Sequence, residues 1–455
     1  ALPISAARRA GPGAASHRWS WLEGRVQWER GRSQEAVEAF ARAVAQLERQ
    51  SPPTDRFRRD VAPLYLEWVS ALLDSADRLD DAADRSQMLR RARDAMERLK
   101  VAELRDYFRD DCVADLEAKT TPLDAVSERA AIVYPIPLPD RLELLVSVGG
   151  ELARHRVAVG SERVVETARR FRASVENRLS LDYTQSGRQL YDWFARPYAE
   201  DLLSRGVDTL VFVPDGVVGA IPLAALQSGR GPLGEQFALA VTPGLALVDP
   251  RPLSRGRLRP LLAGLSRSSD GLAALEAVPD ELAAIHALHG GRVLLDDDFE
   301  RARLAREVAA RRPAVLHIAS HAVFTGDAQT SFLVAHDGPM SMEALAAVVG
   351  QNRFRDDPVE LLMLSACETA AGDERAALGL AGMAVRAGAR SAVGSLWAID
   401  DAASRTLVVE FYRQLLDPEV GRAEALRRAQ KALRADPRYT HPYYWSGFLM
   451  ISDWR

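Results

Sequence analysis

His321 and Cys367 stand 46 residues apart (367 − 321), and each directly follows an apolar run: "AVLHIAS" leads into His321 and "VELLMLSA" into Cys367. A thiol acts as a nucleophile only as its thiolate, and a nearby imidazole supplies or stabilises that form. The interval is long enough for one strand–helix–strand excursion, so the two side chains converge if their strands are neighbours. Taken singly, neither residue is diagnostic. A free cysteine packs as a small hydrophobe, and a histidine beside an apolar strand is more often a satisfied core or surface group. Matched placement at two strand ends is what points to a Cys–His dyad.

The elements that would position this pair follow from the surrounding pattern. "VDTLVFVPD", "AVLHIAS", "SFLVAHD", "VELLMLSAC" and "SAVGSLW" are short apolar runs without alternation, as expected of strands buried on both faces. Helical text separates most of them: 161–205, a stretch from Met342, one from Glu374, then 401–416 and 423–435. "YYWSGFLMIS" closes the chain as a last strand. Such alternation predicts a mainly parallel sheet covered by helices on both faces, with its site at the carboxyl ends of the strands. Upstream, "AAIVYPIPLPDRLELLVSVGG" reads as two further strands. The first 125 residues read as all-α. There Trp21, Leu22 and Gly24, a Gly31 turn, and then Ala36, Phe40 and Ala43 follow the order of a tetratricopeptide helix pair. A second, degenerate pair covers "VAPLYLEWVSALLDSA" and "MLRRARDAMERLKVAELRDYF". Two pairs fall short of a solenoid, so a partner-binding repeat and a plain helical cap remain equal readings of this segment.

Bulk composition narrows the function classes. The 455 residues carry 59 basic and 63 acidic side chains, a net charge of −4, with no electrostatic reason to expect nucleic acid. Two cysteines, Cys112 and Cys367, make neither a disulfide framework nor a zinc site, and such usage fits a reducing cytosol. No apolar run approaches the ~20 residues of a membrane span, and no signal-peptide pattern opens the chain, although it begins at Ala1. A cytoplasmic protein without membrane contact is therefore expected. Phosphate loops, H-E-x-x-H and G-x-S-x-G are all absent, so no cofactor or metal is expected.

Several motifs in order carry a family likeness: "LVFVPDGVVGAIPLAAL", "LHIASHAVF", "LLMLSACETAAG", "GLAGMAVRAGARSAVGSLWAIDDAAS", "FYRQLL", "EALRRAQKALR" and "HPYYWSGFLM". From about Asp208 to Ile451 the chain resembles the CHAT family, caspase-like cysteine peptidases related to separase and often found behind tetratricopeptide repeats. In caspases the histidine likewise lies about 50 residues before the cysteine. The resemblance implies a tetratricopeptide-like segment over 1–125, a non-catalytic α/β (pseudo-caspase) subdomain over 126–264 and a catalytic subdomain over 265–455. It also implies an endopeptidase acting through a thioester, on protein or peptide substrates, in a regulated bacterial defence or cell-death role. Cys367 would attack, His321 would move the proton, and the backbone N–H groups of Ala322 and Cys367 would hold the oxyanion. Relatives often have Gly where this chain has Ala322, which questions loop shape more than chemistry. No side chain stands out to orient His321. For a basic P1 residue, Asp400 and Asp401 in "SLWAIDDAAS" are the candidate recognisers, with one of them a helix cap instead, and Trp397 lines the pocket.

Other residues read as structural. His317 belongs to the core, His336 to a hairpin turn, His441 to a Pro-led turn, Glu368 to the loop of the nucleophile, and Cys112 to the helical part. The Arg-rich stretch 251–258 is a linker and a candidate self-cleavage segment. The rival reading is a non-catalytic scaffold or sensor that binds a regulatory protein through its helices.

Overall fold

A computed structural model describes residues 16–50, 57–108, 128–245, 248, 258–267, 272–324, 329–350, 358–365, 367–369 and 388–455. Cys112, the helical text from Glu374 and the Arg-rich stretch over 251–257 lie outside the described residues. The chain divides into two compact units, residues 1–118 with 152–154, and residues 119–151 with 155–455.

The first unit is helical in its described part. Helices α1 (Ser16–Glu29) and α2 (Ser33–Gln50) join through Gly31, whose φ of +72° glycine adopts without steric cost. They cross closely because Gly24 lacks a side chain; a Cβ there would lie 2.6 Å from the Phe40 ring. Ala36, Phe40 and Ala43 are buried at that crossing, as the helical spacing predicts. Helices α3 (Ala62–Ala76) and α4 (Ala82–Phe108) form the second pair.

The second unit is built on a large mixed sheet with helices on both faces. Its early elements are β1 (Ala130–Pro137), β2 (Leu142–Val148), β3 (Glu151–Val157, of which 152–154 belong to the first unit), α5 (Ser161–Glu176), α6 (Tyr183–Phe194), α7 (Arg196–Ser204), β4 (Thr209–Phe212) and β5 (Ala238–Val241). Then follow β6 (Leu261–Gly264), α8 (Val278–His289), β7 (Arg292–Leu295), α9 (Arg301–Arg311), β8 (Val315–Ala319) and β9 (Ala322–Phe324). The remainder comprises β10 (Phe332–Ala335), β11 (Gly338–Ser341), α10 (Met342–Gly350), β12 (Leu361–Leu364), β13 (Cys367–Thr369), β14 (Ser391–Ser395), α11 (Asp401–Gln414), α12 (Arg422–Arg434) and β15 (Phe448–Ser452).

Eleven strands lie in the order β3-β2-β1-β4-β5-β15-β14-β12-β8-β6-β7. Strands β14, β12, β8, β6 and β7 are mutually parallel, as are β15, β5, β4 and β1. The two sets meet where β15 runs antiparallel to β14, with Val393 opposite Met450. Thus the last strand of the chain lies in the middle of the sheet, and one sheet runs through both 126–264 and 265–455. Strands β8, β12, β14 and β15 are buried at every residue, which accounts for their unalternating apolar sequences.

Strands β8 and β12 are direct neighbours, pairing Ile318 with Leu364. Just beyond their carboxyl ends the chain starts a second, four-stranded sheet in the order β11-β10-β9-β13. The β10–β11 hairpin expected from Asp337-Gly338 forms, its turn lying over His336 and Asp337 with Gly338 opening β11.

Candidate active site

His321 and Cys367 both lie where the chain leaves the large sheet for the small one. His321 is the residue between Ser320, just after β8, and the start of β9. Cys367 opens β13, three residues past the end of β12. Strands β9 and β13 pair in parallel with Ala322 opposite Cys367, Val323 opposite Glu368 and Phe324 opposite Thr369. The residue after the histidine is therefore the cross-strand partner of the cysteine. Of Cys367 and Glu368 only the backbone lies within the described structure.

The partly exposed His321 ring is held from behind. Its Nε2 lies 2.8 Å from the Ala273 carbonyl oxygen. A carbonyl only accepts, so Nε2 carries the proton, and in the neutral ring Nδ1 keeps its lone pair. The main chain of His321 is also pinned, because Val334 N–H donates to its carbonyl at 2.8 Å. The Ala273 contact was beyond sequence reasoning, since every residue offers the same carbonyl and only the path of the chain selects one.

Ala273 belongs to the lead-in to α8, where two further hydrogen bonds fasten the backbone. Leu275 N–H donates to the Ser266 carbonyl at 2.9 Å, and Ala277 N–H to Asp401 Oδ2 at 2.6 Å. Helix α8 itself lies flush on β6. A Cβ at Gly264 would meet Val278 Cγ1 at 2.6 Å and Leu282 Cδ1 at 2.9 Å. Beneath it, the fully buried His317 has Nε2 at 3.0 Å from Glu281 Oε1, an ion-pair distance without hydrogen-bond alignment, and Nδ1 at 3.3 Å from the Tyr412 hydroxyl. Burial pushes the Tyr412 phenol well above its ordinary range, with the Glu281 carboxylate adding to the effect.

The two aspartates at the start of α11 have different partners. Asp400 is the N-cap, its Oδ1 accepting Ala403 N–H at 3.1 Å. Asp401 is half-buried and engaged with Ala277. Burial is the main cause that raises its carboxyl above the ordinary value; the Ala277 N–H opposes this, and Glu281, Asp400 and Glu276 reinforce it. Trp397 is 5% exposed, donates Nε1–H to the Tyr443 carbonyl at 3.0 Å and stacks on the Tyr443 ring with centroids 6.4 Å apart. Tyr443 in turn donates its hydroxyl to the Ala398 carbonyl at 2.7 Å. The exposed Arg178 guanidinium sits 5.1 Å from the centroid of that ring. Its pKa is raised by a hydrogen bond with Tyr444 first, then by Tyr443, and by Asp400 as well.

His441 and His336 are accounted for by their contacts. His441 uses both ring nitrogens, accepting Tyr443 N–H at Nδ1 (3.2 Å) and facing the Ser180 carbonyl with Nε2 (3.0 Å). His336 lies 3.5 Å from Asp297. Among the described residues no group of three or more His, Cys, Asp or Glu side chains is arranged to hold a metal, and no helix is long and apolar enough to cross a membrane.

The CHAT domain family model matches residues 184–453, more than half of the chain. No curated protein sequence matches it. Among solved structures, the separase of the Saccharomyces cerevisiae separase–securin complex is similar at a TM-score of 0.51 and 8% identity. That likeness covers 93% of this chain but only 38% of the separase chain. The RgpB pro- and mature-domain complex of Porphyromonas gingivalis aligns at a TM-score of 0.40 and 9% identity, covering 64% of this chain and 76% of that one. The large mixed sheet with helices on both faces is thus the caspase-like fold, shared at this level with separase.

Proposed function

We propose that this chain, which belongs to the CHAT domain family, is a cysteine endopeptidase using Cys367 and His321. The observation that carries this reading is the parallel pairing of Ala322 with Cys367 immediately after a histidine whose Nε2–H is committed to Ala273. With Nδ1 as the free base, His321 takes the thiol proton, and the thiolate attacks the scissile carbonyl carbon. The resulting oxyanion is received by the N–H groups of Ala322 and Cys367. His321 then returns the proton to the amine nitrogen as the C–N bond breaks, leaving a thioester on Cys367. Water, deprotonated by the same imidazole, hydrolyses the thioester and restores the thiol.

A basic P1 side chain, Arg above all, is the preference this reading assigns, with Asp400 as its carboxylate partner. Capping α11 occupies one Asp400 oxygen. The Arg178 guanidinium already resting on Tyr443, and favoured by the Asp400 charge, supports a surface suited to arginine. Trp397 backs this surface from beneath Tyr443. The ranges 1–125, 126–264 and 265–455 serve here as tetratricopeptide-like, pseudo-caspase and catalytic parts. The substrate is a protein or peptide, and the setting is a regulated role in bacterial defence or cell death in the cytoplasm.

Peptide-library profiling of the wild type against Cys367→Ala tests the reading. Cleavage after Arg that disappears in the variant is expected, whereas cleavage or Arg-probe labelling that persists in Cys367→Ala overturns it. A second reading, a scaffold that binds a regulatory protein through its helices, is favoured by Trp19 and Leu22, which are 39% and 43% exposed on α1. A folded wild type that cleaves no library member favours that alternative.

A further inference from the structure

The first turn of α11 touches the end of β12 that leads to Cys367 and the lead-in to α8 that holds His321. On the histidine side, Asp401 Oδ2 accepts Ala277 N–H at 2.6 Å, and Ala273, four residues earlier, holds His321 Nε2 through its carbonyl at 2.8 Å. On the cysteine side, the buried Ser404 hydroxyl donates to the Ser365 carbonyl at 2.9 Å, two residues before Cys367. Ser365 is itself tied to the histidine strand, its N–H donating to the Ile318 carbonyl at 3.1 Å. Asp400 makes this turn rigid: its side chain caps Ala403, and its carbonyl accepts Ser404 N–H at 2.8 Å.

Asp401 and Ser404 lie three apart, on the same side of a helix. One faces the lead-in to α8 and the other the end of β12. Neither contact caps α11, whose Ala403 N–H Asp400 already serves. Both are made to backbone atoms of loops, the parts of a fold with the fewest other constraints. Misplacing a reacting group by an ångström costs about a hundredfold in rate, so a rigid helix turn holding both loops has a direct effect on chemistry.

Resting on the peptidase reading above, we propose that Asp401 and Ser404 are positioning residues: the first turn of α11 is a bracket that sets His321 through Ala277 and Ala273, and Cys367 through Ser365. Asp401 is thereby separated in role from Asp400. Asp400 meets the substrate, and Asp401 meets the protein.

The full chain is tested with Asp401→Ala, Asp401→Asn, Ser404→Ala and Ser404→Thr. Steady-state kinetics on an Arg-terminated fluorogenic peptide, ¹⁵N NMR of the His321 ring and peptide-mapped iodoacetamide alkylation of Cys367 are read together. Asp401→Ala and Ser404→Ala should each lower kcat by about tenfold to a hundredfold while KM stays within about twofold. Asp401→Asn keeps an acceptor for Ala277 and Ser404→Thr keeps the hydroxyl, so both should recover most of kcat. In Asp401→Ala the His321 ring should lose its fixed Nε2–H tautomer. In Ser404→Ala the Cys367 alkylation rate should change while the His321 signals stay. A raised KM for Arg peptides with unchanged kcat in Asp401→Ala overturns the proposal, because Asp401 would then meet the substrate. Wild-type kcat, tautomer and alkylation in both Ala variants overturn it as well. If the wild type cleaves no peptide, the peptidase reading fails, and the tautomer and alkylation measurements still decide whether the bracket exists.

Discussion

Ala322 lies directly across a parallel strand pair from Cys367, one residue after His321. That register brings the histidine turn and the cysteine turn together from strands that are themselves neighbours, β8 and β12. It makes the dyad the first thing to test. His321→Ala is expected to lower kcat/KM by about 10²–10⁴-fold, the usual worth of a positioned acid–base group, with a thermal midpoint close to wild type. Progress curves and calorimetry on the same preparation check both halves.

The variant Asp400→Asn separates the proposed specificity role from helix capping. Asn caps a helix about as well as Asp, so Asp400→Asn keeps α11 intact while removing the charge. A hydrogen bond to a charged group is worth ~1.5–3 kcal/mol, which corresponds to roughly a tenfold to hundredfold loss in kcat/KM on Arg peptides. Peptides with an uncharged P1 residue should lose nothing, so the ratio of the two rates is the measurement.

Gly264 is where helix α8 meets the sheet. Because a Cβ there would stand 2.6 Å from Val278 and 2.9 Å from Leu282, Gly264→Ala forces the helix outward. Overpacking of this kind costs about 1–3 kcal/mol. The displaced segment also carries Ala273, so kcat should fall more than KM changes. Denaturant unfolding and kinetics on one sample separate the two effects.

The raised carboxyl of Asp401 has a consequence for stability against pH. The folded chain holds this proton more tightly than the unfolded chain, so the group favours folding at low pH. That contribution is lost as pH rises from the ordinary carboxylate value of about 3.9 through the raised one. Asp401→Asn does not titrate. The difference in Tm, variant minus wild type, should therefore become more positive as pH rises across that window, as scanning calorimetry at several pH values would show.

At the amino ends of the central strands β12 and β14 lies a buried ionic cluster. Arg422 reaches Glu360 at 3.0 Å and Asp453 at 3.2 Å, and Arg390 reaches the same two carboxylates at 2.8 and 3.0 Å. Arg422 is 1% exposed, and burial is the first cause that lowers its pKa. Arg422→Met leaves two buried carboxylates with one cation, and should cost about 3–5 kcal/mol by denaturant unfolding. On the peptidase reading, the remaining folded protein should keep wild-type kcat, since the cluster lies at the far ends of β12 and β14 from Cys367.

Much of this arrangement was legible in the amino-acid sequence. Mostly apolar runs without alternation marked β8, β12, β14 and β15, because a strand buried on both faces has few polar positions to give. The position of His321 and Cys367 at two such ends followed from counting alone. The helix pair around Gly24, Gly31 and Phe40 was visible because a close crossing and a left-handed turn both demand glycine. Contacts made by the backbone were not legible, since an Ala273 carbonyl carries no signature in the side chains. Nor could sequence separate Asp400 from Asp401: adjacent residues on one helix start point about 100° apart, and only the packing of α8 beside α11 decides which one finds Ala277. The central place of β15 and the burial of Arg422 likewise depend on strand pairing across more than fifty residues. Sequence by itself determined which elements form and which reactive groups stand at their ends, because those follow from local periodicity; tertiary structure decided what holds those groups, because that depends on which distant backbone atoms the folded chain brings within hydrogen-bond reach.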